Sequence, residues 1–345
     1  MAMGNKYGAH RVIEPKGLLP QAAKKIDNTM EIFDNEILID VSALNIDSAS
    51  FRQLWSASNE NEDRLREMIL GIVAERGKMQ NPVTGSGGML MGSVAKIGSA
   101  LQNRKDIAVG DRIASLVSLS LTPLHIDKIL AIHPDIDRVD IKGQAILFES
   151  GIYARLPEDM PEALALAALD VAGAPAQTAN IVRPGDSVLI LGAGGKSGML
   201  CGYEAMKRVG PCGNVVGMSR NNRPERTLLD NRFVHKFFVA DANNPMEVLE
   251  KALECNDGQE YDVAINVVNI EGTEMSTILP VREGGLVYFF SMATSFTRAA
   301  LGAEGIGKDV NMIIGNGYTR NHADITLQEL RESQALREIF EKNYI

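Results

Sequence analysis

From Ser187 to Gly210 the chain reads SVLILGAGGKSGMLCGYEAMKRVG. An apolar run leads into Gly192-Ala193-Gly194-Gly195-Lys196-Ser197-Gly198, and a helical pattern follows. These residue types suit one task, the holding of a pyrophosphate. Glycines let the backbone turn tightly and approach phosphate oxygens, and a helix start offers free N–H groups and the positive end of its dipole. A glycine string alone says little. Here a strand precedes it, a helix follows it and further βα units lie behind it, so a nicotinamide dinucleotide is the expected ligand. Gly192, Gly194, Gly195, Lys196, Ser197 and Gly198 are the expected binding residues. The next strand ends in Met218-Ser219-Arg220-Asn221. NAD enzymes commonly place an acid near this point for the ribose 2′-hydroxyl. This chain has none, and Arg220 or Arg223 is of the type that meets a 2′-phosphate. Ser219, Arg220 and Asn221 complete the expected cofactor site, and NAD and NADP both stay open.

Other reactive residue types point away from metals. Cys201, Cys212 and Cys255 are odd in number, widely spaced and without a CxxC pair, which argues against a disulfide framework and a structural zinc site. Cys201 lies in the helix after the glycine loop and reads as packing. His10, His125, His133, His235 and His322 show no ligand spacing and read as surface or core-edge residues.

The elements that must position these residues fall into three regions. Between about residues 30 and 156 the pattern is strand-like. Glu36–Ala43, Arg112–Leu116, Lys128–Ile132, Arg138–Ile141 and Gln144–Phe148 are expected strands, with Gly110-Asp111 and Lys142-Gly143 as turns. Leu65, Met68, Ile69, Ile72 and Val73 recur at the spacing of one helical face, with Gly77 as its stop. From about 157 to 310 strands alternate with helices: a helix over Pro161–Ala174, then strands at Ser187–Leu191, Asn214–Met218, Lys236–Ala240, Tyr261–Val267 and Gly285–Phe290. Continuous apolar strands separated by helices predict a parallel sheet covered on both faces. The last region adds an apolar strand at Asn311 and a charged helix around Leu327–Phe340.

At 345 residues, two domains are the default. The net charge of −9 and the absence of a Lys/Arg run argue against a nucleic-acid partner. No signal pattern opens the sequence, and no apolar run approaches a membrane span. A reducing, cytoplasmic compartment is expected.

With these motifs in view, the chain resembles the medium-chain dehydrogenase/reductases. That resemblance implies an α/β fold: a GroES-like barrel over residues 1–155, a doubly wound Rossmann sheet over 156–311, and a segment 312–345 returning to the first domain. Leu38–Ser50 is similar to the stretch leading to the family's first zinc Cys, Asn81–Gly88 (NPVTGSGG) to its PxxxGHEG segment, and Gly110-Asp111-Arg112-Ile113 to its GDRV strand start. The departures are informative. Asp47 stands where the zinc Cys would be. Ser86 stands at the zinc His, with Gly87 in place of Glu, and near Leu169–Gly173 Asp170 is the nearest polar residue. The clustered Cys of a structural zinc lobe are missing. A zinc-free reaction is implied, with Asp47, Asp170 and Ser86 as its candidate catalytic residues.

A narrower resemblance, to the L-erythro-3,5-diaminohexanoate dehydrogenases, rests on His10–Pro15, Leu19–Ala23, Leu44–Ser48, Asp170–Ala176 and Gly192–Gly198. It implies oxidation of the 3-amino group of a small diamino acid to a ketone in lysine fermentation, with release of ammonium and reduction of NAD, NADP remaining open. A homodimer is expected. Two other readings compete: a zinc-free quinone or enoyl reductase, which also suits GAGGKSG, and a non-catalytic, crystallin-like nucleotide-binding protein. A diamino acid needs acids in its pocket, whereas a quinone needs an apolar one. Asp47 and Asp170 favour the first.

Overall fold

Ile37, Ile39 and Val41 are buried while Asp40 and Ser42 are exposed, the period-two pattern of a strand with one face on a core. In the computed structural model, which describes residues 2–315 and 317–344, this strand belongs to the first of two compact units, residues up to Glu158. That unit holds β1 (Val12–Glu14), β2 (Lys25–Ile26), β3 (Glu36–Ile46), α1 (Ser48–Ala57), α2 (Glu62–Arg76), β4 (Gly88–Ile97), β5 (Arg112–Ser115), β6 (Leu124–His133), β7 (Arg138–Phe148) and β8 (Tyr153–Arg155). β1 and β2 pair separately; the rest form a six-stranded antiparallel sheet in the order β6-β7-β3-β4-β5-β8. One apolar core takes side chains from the sheet and from the buried faces of α1 (Phe51, Leu54) and α2 (Leu65, Ile69, Val73). Helix α2 keeps the expected signals. The Asn61 side chain accepts from the Arg64 N–H at its start, and Gly77 ends it at φ 73°.

Two sequence readings are corrected here. Arg138–Ile141 and Gln144–Phe148 are one strand, β7. Gly143 makes no turn. A Cβ there would lie 2.3 Å from the His125 carbonyl oxygen, so the glycine admits the neighbouring strand β6, whose register slips between Ile126 and Lys128. Helix α1 starts directly after Asp47 and buries Phe51 and Leu54. The amino-terminal segment is tied down by charge: buried Arg11 grips buried Glu36 through two 2.7 Å hydrogen bonds, and His10 Nε2 lies 2.9 Å from the same carboxylate. Nearby, the buried Lys78 ammonium donates to the Pro20 and Gln21 carbonyls at 2.5 and 3.3 Å. Burial, with the Arg76 charge beside it, pulls Lys78 down to about 8.

The second unit begins at Asp159. It holds α3 (Glu162–Leu169), α4 (Gly173–Ile181), β9 (Ser187–Leu191), α5 (Lys196–Val209), β10 (Asn214–Ser219), α6 (Glu225–Asp230), β11 (Lys236–Val239), α7 (Pro245–Cys255), β12 (Tyr261–Asn266), α8 (Glu274–Ile278), β13 (Val281–Phe289), α9 (Phe296–Ile306), β14 (Asn311–Ile314), α10 (His322–Glu332) and α11 (Gln334–Tyr344). Its strands form a six-stranded parallel sheet in the order β11-β10-β9-β12-β13-β14. The expected helix over Pro161–Ala174 is two helices, broken after Leu169. The segment 312–345 was expected to return to the first domain; instead it lies in the second unit. β14 is the edge strand of the parallel sheet, and α10 and α11 pack on α3, α4 and α5. The reason is the apolar face formed by Leu327, Leu330, Leu336 and Phe340, all buried. Cys201 is buried on α5, its thiol pushed up to about 12 by that burial. Cys212 is exposed in the turn after α5, and Cys255 is half-buried.

Candidate functional site

β9 lies between β10 and β12, both parallel to it. The chain leaves β9 toward β10 on one side and continues later from β12 on the other. This is the point in such sheets where a crevice opens beyond the strand ends. The glycine loop fills that position, and each glycine has its own reason. Gly192 sits at φ 88°, a conformation that disfavours a side chain. The N–H groups of Gly192 and Ala193 donate to the Met218 carbonyl at 2.9 and 3.0 Å, which ties the loop to β10. A Cβ on Gly198 would lie 2.2 Å from the Gly192 carbonyl oxygen, and one on Gly194 2.4 Å from Pro224 Cγ. Gly195 differs: a Cβ there would meet nothing nearer than 3.5 Å. It borders open space at the start of α5, a cradle that a side chain would fill and a dinucleotide's phosphates fit.

Ser219 ends β10 and accepts from the Gly194 N–H through Oγ at 3.1 Å. Beside it lies a cavity of about 560 Å³, lined by Gly194, Ser219, Asn221 and Arg223 on one side and Lys342 and Asn343 of α11 on the other. None of the described residues lining it is a carboxylate, and Arg223 and Lys342 make it cationic. Arg220 is exposed and does not line it. Lys342 and Asn343 escape sequence reasoning, since nothing in a charged terminal helix says which strand end it will face.

Lys196, the first residue of α5, turns to a carboxylate. Its Nζ donates to Asp170 Oδ2 at 2.6 Å, and the Tyr344 ring centroid is 5.7 Å away. Asp170, placed at the end of α3, is thus tied to the glycine loop.

Asp47 and Ser86 belong to the first unit. Asp47 immediately precedes α1, is exposed and does not cap the helix with its side chain. Its N–H lies 3.4 Å from the Gly87 carbonyl oxygen, so it sits against the Ser86 loop. That approach depends on Gly87 and Gly88. A Cβ on the first would meet the Met79 carbonyl oxygen and the Ser120 nitrogen at 2.6 Å; a Cβ on the second would meet the Asn45 carbonyl oxygen at 2.1 Å. Ser86 Oγ is 2.5 Å from buried Ser50 Oγ, which is also 2.5 Å from Thr84 Oγ1. Asn81, fully buried, builds the turn that holds this hydroxyl cluster. Its Oδ1 accepts from the Val83 N–H at 2.8 Å, and its Nδ2 donates to Gln53 Oε1 at 2.8 Å. Ser50, Thr84 and Asn81 were not singled out from the sequence, where isolated hydroxyls on separate segments carry no spacing signal. Among the described residues no three His, Cys, Asp or Glu side chains converge as a metal-holding group.

Residues 10–157 match the family described as the L-erythro-3,5-diaminohexanoate dehydrogenase N-terminal domain. Over the full chain, the L-erythro-3,5-diaminohexanoate dehydrogenase of Acetoanaerobium sticklandii is 67% identical across 342 residues, covering 99% of each chain. The protein of the same name from Fusobacterium nucleatum is 65% identical over 345 residues, covering 100% of both. Among solved structures, a crotonyl-CoA carboxylase/reductase in complex with NADP aligns with a TM-score of 0.55 at 15% identity, covering 94% of this chain and 84% of that one. The CurK enoyl reductase aligns with a TM-score of 0.52 at 14% identity, covering 92% and 81%. At that identity these two establish the fold alone: a parallel Rossmann-like sheet and an antiparallel sheet.

Proposed function

The chain belongs to the L-erythro-3,5-diaminohexanoate dehydrogenases, and we propose that its reaction runs through the residues described above. The substrate loses hydride and nitrogen at one carbon. 3,5-Diaminohexanoate, NAD and water become 5-amino-3-oxohexanoate, ammonium, NADH and a proton. The observation that carries this reading is the full-length identity to two dehydrogenases of that name, joined to a glycine loop with an open cradle at Gly195.

The cofactor supplies the hydride acceptor. The backbone of Gly194 to Gly198 holds its pyrophosphate at the start of α5, with Gly192 setting the turn and Lys196 and Ser197 at the first helical positions. Ser219, Asn221 and Arg223 meet its adenosine ribose. NAD is the proposed cofactor. NADP is the second reading, favoured by the cationic lining of Arg223 and Lys342 and the lack of a carboxylate there.

An amine gives up hydride only when its nitrogen is neutral, because the lone pair drives iminium formation. A free alkylammonium resembles Lys, with a pKa of about 10.4, so a base must take its proton near neutrality. Asp47 is the proposed base and holder of the attacking water. It is exposed, and its carboxylate has no partner among the described residues. Ser86, braced by Ser50, orients that water. Asp170 receives an ammonium of the substrate. No zinc takes part in this scheme.

The enzyme is further proposed to work in lysine degradation, in the cytoplasm, as a homodimer. Support for the dimer comes from β14, an edge strand carrying exposed Ile314, since an unpaired edge readily accepts a second strand. The test of the activity is absorbance of the reduced nicotinamide, with 3,5-diaminohexanoate and NAD or NADP supplied separately. Reduction with neither cofactor would end the proposal.

A further inference from the structure

The Lys196–Asp170 ion pair lies where the cofactor's charge must arrive. Lys196 directly follows Gly195, whose missing side chain leaves open space, and it opens α5. The free N–H groups of that helix start favour an anion. Asp170 is the fixed partner: its own N–H is bonded to the Leu166 carbonyl at 3.0 Å, which seats it on the end of α3. Lys196 is the movable one. Its four-carbon stem carries a compact charge with three donors, and among the described residues its side chain interacts with Asp170 and the Tyr344 ring. Both side chains stay partly open to water, at 24% and 49%, so the pair is weakly held. One cation therefore stands between a monoanion that it neutralises and the seat of a dianion.

We propose that Lys196 changes partner when the cofactor binds. It leaves Asp170 for the pyrophosphate, and the carboxylate so uncovered takes an ammonium group of the substrate. The inference rests on the dinucleotide and diamino-acid reading above. No covalent bond changes: one ion pair is exchanged for two, Lys196 with the cofactor and Asp170 with the substrate. The cofactor binds first, because without it Asp170 is already occupied.

The sign of one substitution separates this exchange from a static role. NAD affinity is measured by titration calorimetry on the full chain at low salt, for the wild type, Asp170→Asn, Lys196→Gln and the double variant. Exchange predicts that Asp170→Asn binds NAD more tightly, by roughly 3- to 10-fold, because a competitor is gone. Lys196→Gln binds NAD more weakly, and the gain from Asp170→Asn shrinks in that background. Unchanged or weaker binding by Asp170→Asn would overturn the exchange and make Asp170 a brace for the lysine. In the second arm, 3,5-diaminohexanoate is titrated without cofactor. It should bind Lys196→Gln measurably better than the wild type, and equal affinities would remove the substrate half. Gly195→Val is the control: undiminished NAD affinity there would refute the loop assignment itself, and the exchange with it.

Discussion

Gly195 and Gly198 lie three residues apart at the start of α5, yet they do different work. A side chain on Gly195 enters open space, whereas one on Gly198 runs into the Gly192 carbonyl. Gly195→Val should therefore keep its melting temperature within about a degree or two while losing at least tenfold in cofactor affinity. Gly198→Val should lose stability itself, by ~1–3 kcal/mol from overpacking. Thermal melting and calorimetric titration of both proteins check this, and equal losses of stability would contradict it. Asp47→Asn should lower kcat by about 10²–10⁴, the usual cost of removing a catalytic base, while NAD affinity stays put, since Asp47 lies in the first unit and the glycine loop in the second. Near-normal kcat would move the base elsewhere. The glycine loop was legible in the sequence because its meaning is local: strand, turn and helix are contiguous. The hydroxyl cluster of Ser50, Thr84 and Ser86 was not. It forms only when Gly87 and Gly88 let one segment settle on another, and single serines give no warning of that.

Among the helices, α10 carries the least comfortable residue. Glu329 is fully buried, and neither carboxylate oxygen has a hydrogen-bond partner among the described residues. Across from it on α5 lies Glu204, also fully buried. Arg208 bonds Glu204 Oε1 at 2.7 Å, while Lys207 stands 3.1 Å from Oε2 without hydrogen-bond alignment. Burial first, and the Glu204 charge second, push Glu329 well above the ordinary carboxylate range; Lys207 and Arg208 act the other way, and Glu332 adds to the rise. A raised folded-state pKa means that the folded form holds a proton which the unfolded chain gives up near its ordinary value of about 4.3. The stabilising effect is thus complete below that value and declines as pH rises through the folded-state pKa. Glu329→Gln keeps the shape, cannot ionise and can donate toward Glu204. It should raise the melting temperature by several degrees at pH 8 and by little at pH 4, and a pH-independent effect would show Glu329 to be charged already. Helices α10 and α11 also show why segment 312–345 was misplaced from sequence: amphipathicity announces a buried face but not its partner. Gly143 makes the same point for strands. Lys-Gly has the composition of a turn, and only the neighbouring strand's carbonyl reveals a close approach.

At the scale of the whole molecule, the two units have separate cores, and the glycine loop belongs wholly to the second. A ligand that binds only the folded form stabilises it by about 2.7 kcal/mol at a hundredfold excess over its Kd. Hydrogen exchange with saturating NAD should then slow in β9, α5 and the end of β10, and leave the β1–β2 hairpin unchanged. Equal protection of that hairpin would mean that binding energy spreads through both units. The three cysteines, finally, turn the protein into its own reporter. The buried Cys201 thiol is held protonated and out of reach, so it resists alkylation. Cys255 is half-buried, with a thiol also raised by burial. Cys212 is exposed just past the far end of α5. A single equivalent of a maleimide dye should mark Cys212, placing a fluorophore roughly 21 Å along the helix from the glycine loop. That span suits energy transfer from the reduced nicotinamide to the dye, so arrival of the coenzyme could be followed optically without altering any residue of the site.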